Sequence, residues 1–160
     1  CFAAPTNMST YMCPNQCEKL CNTQNKKLTL ESSNIYGLTD DEAKYCSKNV
    51  SNCLKAYQET WTTEKICLEI YLVSDTNDES DGCRHYVWSI LLSRTLGVTD
   101  AELILNAHEN NPKEPKAEQA MDLANNRLGM LDFQKSKNNF NFLEVPQIVF
   151  LQKNIVLHAV

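Results

Sequence analysis

Eight cysteines lie within the first 83 residues of this 160-residue chain, and none follows them. An even number of cysteines in a small domain is typical of an oxidising compartment, since cytosolic thiols are kept reduced. A zinc site would prefer cysteine pairs separated by two residues, whereas neighbouring cysteines here are at least four residues apart. The sequence therefore predicts a secreted or periplasmic protein held by disulfides. The predicted bridge-forming residues are Cys13, Cys17, Cys21, Cys46, Cys53, Cys67 and Cys83.

Two helices are predicted to carry most of these cysteines, one over residues 11–23 and one over 39–61, because cysteines and apolar side chains recur there at helical spacing. The second helix begins with Thr39 and Glu42, which match the Thr-x-x-Glu pattern of a capping box. If the two helices pack antiparallel, cysteines at both ends of this hairpin come within reach of each other. The spacing suggests bridges between Cys13 and Cys53 and between Cys46 and either Cys21 or Cys17.

The other cysteines also indicate an exported protein. Cys67 and Cys83 are expected to pair, which would fix the polar loop predicted over 74–80 to the helix that follows it. Cys1 either carries a lipid anchor, as in a bacterial lipoprotein, or joins another disulfide. We expect a signal peptide to have preceded residue 1.

Further helices are predicted from apolar periodicity and from residues that start or end a helix. Thr63 is expected to cap a helix that ends near Val73, and a strand is the alternative for that segment. The next helix is expected to begin at Ser80 or Asp81 and to end at Gly97, because glycine commonly follows the last helical residue. Two more helices are predicted over 99–110, opened by a second capping box at Thr99, and over 115–129.

The spacing of apolar residues predicts which faces of these helices pack into the core. In the helix that begins near residue 81, the predicted core stripe is Cys83, Tyr86, Val87, Ile90 and Leu91, and Trp88 beside it is also expected in the core. In the helix over 115–129, the predicted core stripe is Ala117, Ala120, Met121, Ala124 and Leu128. A separate polar stripe on the same helix consists of Glu118, Asp122, Asn125 and Gly129.

These elements predict an all-α single domain over residues 1–160, which is within the size range of one folding unit and long enough to bury a core. Residues 1–73 form its cysteine-rich part, with a disulfide-stapled helical hairpin. This hairpin is expected to pack on a region of three to four helices over 81–129. Residues 131–160 add an Asn-rich link and an apolar C-terminal segment, either a helix from Pro146 or a strand.

Charge and hydropathy exclude several functions. The chain has 15 Lys and Arg against 20 Asp and Glu, and neither half has the basic excess that nucleic-acid binding usually requires. No run of about 18 apolar residues is present, so we expect no membrane-spanning helix, while peripheral contact with a membrane stays open. A monomer is expected.

Polar side chains that can do chemistry are concentrated between residues 81 and 126. His85, His108, Glu109 and Asp122 are residue types that divide general acid and base work or bind a divalent metal. No second histidine follows His108 by one turn, so the His-Glu-x-x-His helix of zinc peptidases is absent. We therefore assign no metal ligands and expect no cofactor, with a divalent metal as the alternative. Thiol catalysis by Cys83 is not expected, because that cysteine is predicted to be bridged.

Three motifs in this region resemble a known family. Arg84-His85-x-x-Trp88, Ala107-His108-Glu109 and Met121-Asp122-x-x-Asn125-Asn126-x-x-Gly129, in this order, look like a poorly characterised family of helical bacterial domains found in secreted and toxin-like proteins. The resemblance covers about a third of the chain. It implies a small export-associated domain whose polar residues are suspected to be catalytic.

The leading hypothesis is a secreted bacterial protein, a candidate hydrolase and virulence effector, that acts on an envelope or host polymer or lipid. His85 and His108 would be its acid and base, with Glu109 and Asp122 orienting or activating them. Substrate would be bound by Arg84, Asn125 and Asn126. The alternative is a non-catalytic effector that docks on a host membrane lipid or protein, with the same polar residues as a buried structural network.

Overall fold

A computed structural model describes residues 37–72 and 74–136 of the chain. Within these ranges the chain forms five α-helices and no strand, which confirms the predicted all-α fold. The helix predicted over 11–23, the segment from 137 onward and the cysteines before residue 37 lie outside the described residues. The helices are α1 (Asp40–Cys46), α2 (Val50–Tyr71), α3 (Glu79–Leu96), α4 (Val98–Glu109) and α5 (Lys116–Lys135).

The single helix predicted over 39–61 is wrong, because the chain turns between Cys46 and Val50. This turn brings the Cα atoms of Cys46 and Cys53 to 5.5 Å, and the two residues form a disulfide. An unbroken helix would separate residues seven apart by about 10 Å, which is beyond the reach of a disulfide. The bridges predicted from Cys46 and Cys53 to the N-terminal cysteines are therefore wrong as well.

Helix α2 continues through the point where a new helix was expected to start. Thr63 is buried inside α2 and caps nothing, so that prediction is wrong, although the segment is helical as predicted. The helix ends at Tyr71, and Leu72 takes a left-handed conformation with φ 61°. The predicted disulfide between Cys67 and Cys83 is confirmed, with Cα atoms 5.9 Å apart, and it ties the end of α2 to the start of α3.

The ends of α3 and α4 differ in part from the prediction. The carboxylate of Asp78 caps α3, accepting from the N–H groups of Ser80 at 2.8 Å and Asp81 at 3.1 Å, so neither of the two predicted caps is correct. Gly97 ends α3 as predicted, with φ 83°. Helix α4 starts at the next residue, which places Thr99 inside its first turn. The predicted capping box at Thr99 is therefore wrong.

Helix α3 is the central element of the core. Its predicted apolar stripe is buried throughout and packs against Ile66 and Cys67 of α2. Trp88 is also buried, and its indole N–H donates to the Ala56 carbonyl at 3.2 Å. A second cluster joins Trp88 and Leu92 to α2 and α4. Among the described residues, no helix is both long and apolar enough to cross a membrane.

Helix α5 turns its polar stripe inward, opposite to the predicted orientation. Of its predicted core residues only Met121 is buried, whereas Asp122, Asn125, Asn126 and Gly129 are all buried. The pattern misleads because the partners of this face, on α3 and α4, are themselves polar and are distant in sequence. Burial of this face places Asp122 and Asn126 beside the imidazole and carboxylate groups described below.

Gly129 allows α5 to approach α3 closely. A Cβ atom at this position would lie 2.1 Å from the Ser89 hydroxyl oxygen and 2.4 Å from the Tyr86 carbonyl oxygen. Real Cβ atoms do not tolerate such distances, because they are far inside van der Waals contact. The absence of a side chain here therefore sets the spacing between the two helices that carry His85 and Asp122.

Candidate functional site

The imidazole of His85 lies between carboxylates that come from three helices. Its Nδ1 atom is 3.2 Å from Oε1 of Glu109, at the end of α4. Its Nε2 atom is 3.3 Å from Oδ1 of Asp122 on α5, and 3.7 Å from Oδ1 of Asp81, one turn earlier on α3. We call these four residues the His85 cluster. Both imidazole nitrogens thus face carboxylates, and the side chain of His85 is only 12% exposed.

Several buried polar atoms in and around the His85 cluster have no hydrogen-bond partner among the described residues. They include both amide atoms of Asn125 and the amide oxygen of Asn126, while Nδ1 of His85 and Oδ1 of Asp122 make only the ion-pair contacts given above. The amide nitrogen of Asn126 does donate to Oε1 of Glu109, at 2.6 Å. Buried polar groups in proteins are normally satisfied, and unsatisfied ones are a recognised feature of functional sites. This region is therefore unlike a closed structural network.

Burial and neighbouring charge shift the protonation of the cluster. Burial disfavours the charged imidazole of His85, but Glu109, Asp122 and Asp81 outweigh this effect and raise its pKa. Burial also raises the pKa of Asp122, and the negative charge of Glu109 adds to the effect against the attraction of His85, so that this pKa is about 7. Groups whose pKa values are shifted by burial and by neighbouring charges are concentrated at functional sites.

The same residues provide atoms of the kinds that bind metal ions. One group of three, Asp81, His85 and Asp122, has its ligand-type atoms within 4.8 Å of one another. A second group, Glu109, Glu114 and Asp122, meets the same limit. Asp122 belongs to both groups, so it occupies the centre of this collection of carboxylates.

His108 lies at the edge of the site and binds a different carboxylate. Its Nδ1 atom is 2.8 Å from Oε1 of Glu42 on α1, and its ring contacts Trp88 edge-on at a centroid distance of 5.1 Å. Its ring centroid is 6.2 Å from that of His85. The side chain is 43% exposed. His108 is therefore the more exposed of the two histidines, and His85 is the inner one.

Helix α1 holds Glu42 in place through its capping box. The Thr39 hydroxyl oxygen accepts from the Glu42 N–H at 3.1 Å, and the Glu42 carboxylate accepts from the Thr39 N–H at 2.7 Å. The Thr39 hydroxyl also donates to the Ala107 carbonyl on α4 at 2.6 Å. The predicted start of this helix is confirmed, and it fixes α1 beside the end of α4.

The pair formed by His108 and Glu42 predicts a pH-dependent stability. Burial opposes the charge on each group, but their mutual attraction raises the pKa of His108 from 6.5 to about 9 and lowers that of Glu42 from 4.5. A raised histidine pKa stabilises the fold fully below about 6.5, and this contribution is lost as pH rises through about 9. A lowered carboxyl pKa stabilises fully above 4.5 and is lost at lower pH.

We therefore expect wild type to be more stable than His108→Gln chiefly between about pH 4.5 and 6.5, the window that the two ordinary pKa values define. The difference should be about 1 kcal/mol, because solvent screens this partly exposed pair. Urea unfolding of both proteins across a pH series measures it. An equal difference at strongly alkaline pH would show that the contribution of His108 does not depend on its charge.

Arg84, which is predicted to bind substrate, contacts Asp81 and the loop after α2. Its guanidinium donates to Oδ1 of Asp81 at 2.6 Å, to the Ser74 hydroxyl at 2.9 Å and to the Asp75 carbonyl. It also lies 4.0 Å from the carboxylate of Glu64. Helix α3 turns this side chain towards the loop after α2. Arg84 therefore anchors that loop and fixes Asp81.

An open groove of about 650 Å³ lies beside Glu109. Helices α1, α4 and α5 line it, with Lys44, Lys48, Asn106 and Asn110 among its polar side chains. Glu109 also lines the groove, whereas His85 and Asp122 do not. Of the four residues of the His85 cluster, only Glu109 lines this groove.

Most of the predicted site residues lie close together, and the structure adds two residues that were not predicted as site residues. His85, Glu109 and Asp122 lie in one cluster, and Asn126 contacts Glu109. Asp81 and Glu42 were considered only as helix-capping residues. The spacing of Asp81 and His85, one helical turn apart, is a signal from which the first addition follows. No comparable signal exists for Glu42, which is 66 residues from its partner His108.

A family model described as a domain of unknown function (DUF6973) matches residues 43–155 of the chain. This range contains all four residues of the His85 cluster as well as His108. Neither the curated proteins nor the solved structures include a match to the chain.

Proposed function

Since the chain belongs to the DUF6973 family, whose domain has no assigned function, we propose from its site that the protein is a hydrolase, secreted by a bacterium, that acts on an envelope or host polymer or lipid. His85 is its acid and base. Glu109 and Asp122 orient the imidazole from its two sides, and His108 exchanges protons with solvent at the open edge. The two disulfides support an oxidising compartment, with which secretion agrees.

One observation carries this proposal. A single buried imidazole is held at 3.2 and 3.3 Å from carboxylates of two other helices, while neighbouring buried polar atoms have no hydrogen-bond partner among the described residues. A structural network would leave such atoms satisfied, since each unsatisfied group costs about 1–3 kcal/mol. A site that receives a ligand or water can leave its polar atoms free for them. The presence of these unsatisfied groups therefore lowers the stability of the fold and supports a functional role for the site.

The groove beside the His85 cluster favours a substrate that is larger than the cluster. The groove beside Glu109 is open and lined by lysine and asparagine side chains, which suit the hydroxyl, amide or anionic groups of a polymer or lipid head group. A substrate seated there would reach the cluster past Glu109 and the exposed edge of His108.

A panel of chromogenic esters, phosphodiesters and glycosides tests the proposal. We expect wild type to hydrolyse at least one of these classes and His85→Gln to lower kcat/KM by about 10²- to 10⁴-fold, the usual contribution of general acid and base catalysis. Glu118→Gln is the matched control, because Glu118 lies one turn before Asp122 on α5 and outside the cluster. Thermal unfolding of each variant shows that it is folded. Hydrolysis at the wild-type rate by His85→Gln would refute the assignment.

A second candidate function is a non-catalytic module that docks on a host protein or lipid. It is favoured by exposed apolar side chains along α2, namely Leu54, Tyr57, Trp61 and Leu68. Such a module would hydrolyse none of the panel, and replacement of His85 would leave its binding unchanged. The same variant therefore separates the two functions.

A further inference from the structure

We propose that Asp81, His85 and Asp122 bind a divalent cation of the zinc type. Their ligand atoms lie within 4.8 Å of one another, with Nε2 of His85 3.3 Å from Asp122 and 3.7 Å from Asp81. Bonds of about 2.0–2.2 Å in a tetrahedral site separate neighbouring ligand atoms by about 3.3–3.6 Å. The observed distances are close to this range. One nitrogen and two carboxylate oxygens leave a fourth position for water.

The three residues are held by elements that the core already fixes. Asp81 and His85 are one turn apart on α3, so both side chains project from the same face of that helix. Asp122 comes from α5, whose distance from α3 is set by the close approach at Gly129. The disulfide between Cys67 and Cys83 further ties down the first turn of α3. A site on rigid helices of this kind keeps its ligand geometry.

The groups around these three residues match those that support metal ligands. The second nitrogen of His85 faces Oε1 of Glu109 at 3.2 Å, and Asn126 donates to that same oxygen. A carboxylate on the far nitrogen orients a ligating histidine and makes it more basic. Asp81 is fixed by Arg84 and by the Asn77 N–H, which donates to its Oδ2 at 2.8 Å. Both the imidazole and Asp81 are thus held before any ion binds.

Asp122 supplies a second, independent observation. This residue is only 3% exposed, and its Oδ1 atom makes no hydrogen bond to the described residues beyond its ion-pair contact with Nε2 of His85 at 3.3 Å. Three carboxylates surround the imidazole, and Arg84 pairs with Asp81, so one carboxylate has no balancing charge even when His85 is protonated. Burying unpaired charge is costly. A divalent cation would both bind Oδ1 of Asp122 and neutralise the unbalanced charge.

This inference deepens the proposed function and rests on it only for the catalytic consequence. If a cation were bound at its Nε2, His85 would be a metal ligand in place of the free acid and base assigned above, and the cation would supply a polarised water. Hydrolysis would then depend on the metal, whereas the binding of the metal does not depend on any hydrolysis.

Calorimetric titration with zinc chloride alone, after the protein has been treated with EDTA and dialysed, tests the site. We expect Asp122→Asn and His85→Gln to abolish one binding event seen in wild type, or to weaken it at least tenfold. Glu109→Gln, which leaves the ligands in place, should weaken it by about 10- to 100-fold. Glu118→Gln is the matched control, the same loss of a carboxylate one turn away on α5, and should keep the wild-type affinity.

Thermal unfolding in EDTA establishes that each variant is folded without metal, and the visible spectrum of bound cobalt reports tetrahedral geometry independently of affinity. Equal zinc affinity in wild type and Asp122→Asn, or equal losses in Asp122→Asn and Glu118→Gln, would overturn the site. If hydrolysis persists in EDTA and no zinc binds, the proposed metal site is refuted and the proposed hydrolase function stands. Zinc binding at this site without hydrolysis of any substrate would support the metal and refute the hydrolase.

Discussion

Replacement of Gly129 by alanine should lower the free energy of unfolding by at least about 3 kcal/mol, the upper end of the usual cost of overpacking. The added Cβ would lie 2.4 Å from the Tyr86 carbonyl oxygen, and backbone cannot rotate away as the Ser89 side chain can. Helix propensity alone predicts the opposite sign, a gain of about 1 kcal/mol for glycine to alanine within a helix. The clash is the larger effect, so we expect net destabilisation.

Gly97→Ala is the matched control for this substitution. No atom lies within 4 Å of a Cβ at that position, and only the φ of 83° opposes a side chain. The expected loss is therefore about 1–3 kcal/mol, because φ 83° with ψ 155° is a backbone conformation essentially restricted to glycine. Urea unfolding of both variants measures the difference. A Gly129→Ala protein as stable as wild type would mean that α3 and α5 are further apart, and it would also weaken the position assigned to Asp122 beside His85.

The sequence predicts the central helix well because its signals are local. The apolar stripe of α3 recurs at helical spacing, and Gly97 ends the helix with the backbone angle that favours glycine. The bridge between Cys67 and Cys83 was also predictable, since the acidic loop between them is short enough to return the chain. These features depend on residues that are close together in the sequence.

Helix α5 was not predictable from its pattern. Asp122 and Asn126 are buried because their partners, His85 and Glu109, lie on other helices, and spacing within α5 carries no information about them. The break between α1 and α2 was missed for a similar reason. Nothing in Ser47, Lys48 and Asn49 is a strong helix breaker, and the disulfide between Cys46 and Cys53 fits only a chain that turns there.

The candidate site was predicted by residue type but not by arrangement. The sequence concentrates histidines and carboxylates in one region, and the fold brings His85, Glu109 and Asp122 together there. It separates His108, which binds Glu42, and Arg84, which binds Asp81 and the loop after α2. Adjacent helical residues such as His108 and Glu109 point in different directions, so only one of the two joins the inner cluster.

Asp122→Asn is the second substitution with a large expected effect, because it should separate activity from stability. The change keeps the shape of the side chain and removes one of the three carboxylate charges that surround His85. Oδ1 of Asp122 contacts Nε2 of His85 at 3.3 Å, and an amide oxygen at the same position can keep that contact. We expect hydrolysis to fall by at least about 100-fold, as for the loss of a group in acid and base catalysis.

The central claim is that the His85 cluster is a functional site and not a structural network. The free energy of unfolding of wild type and Asp122→Asn, measured by urea in EDTA at neutral pH, tests it most directly. The account predicts that the variant is as stable as wild type or more stable, because a buried repulsive charge has been removed. A loss of about 3–5 kcal/mol, the usual cost of breaking a buried ion pair, would contradict it and identify Asp122 as a structural partner of His85.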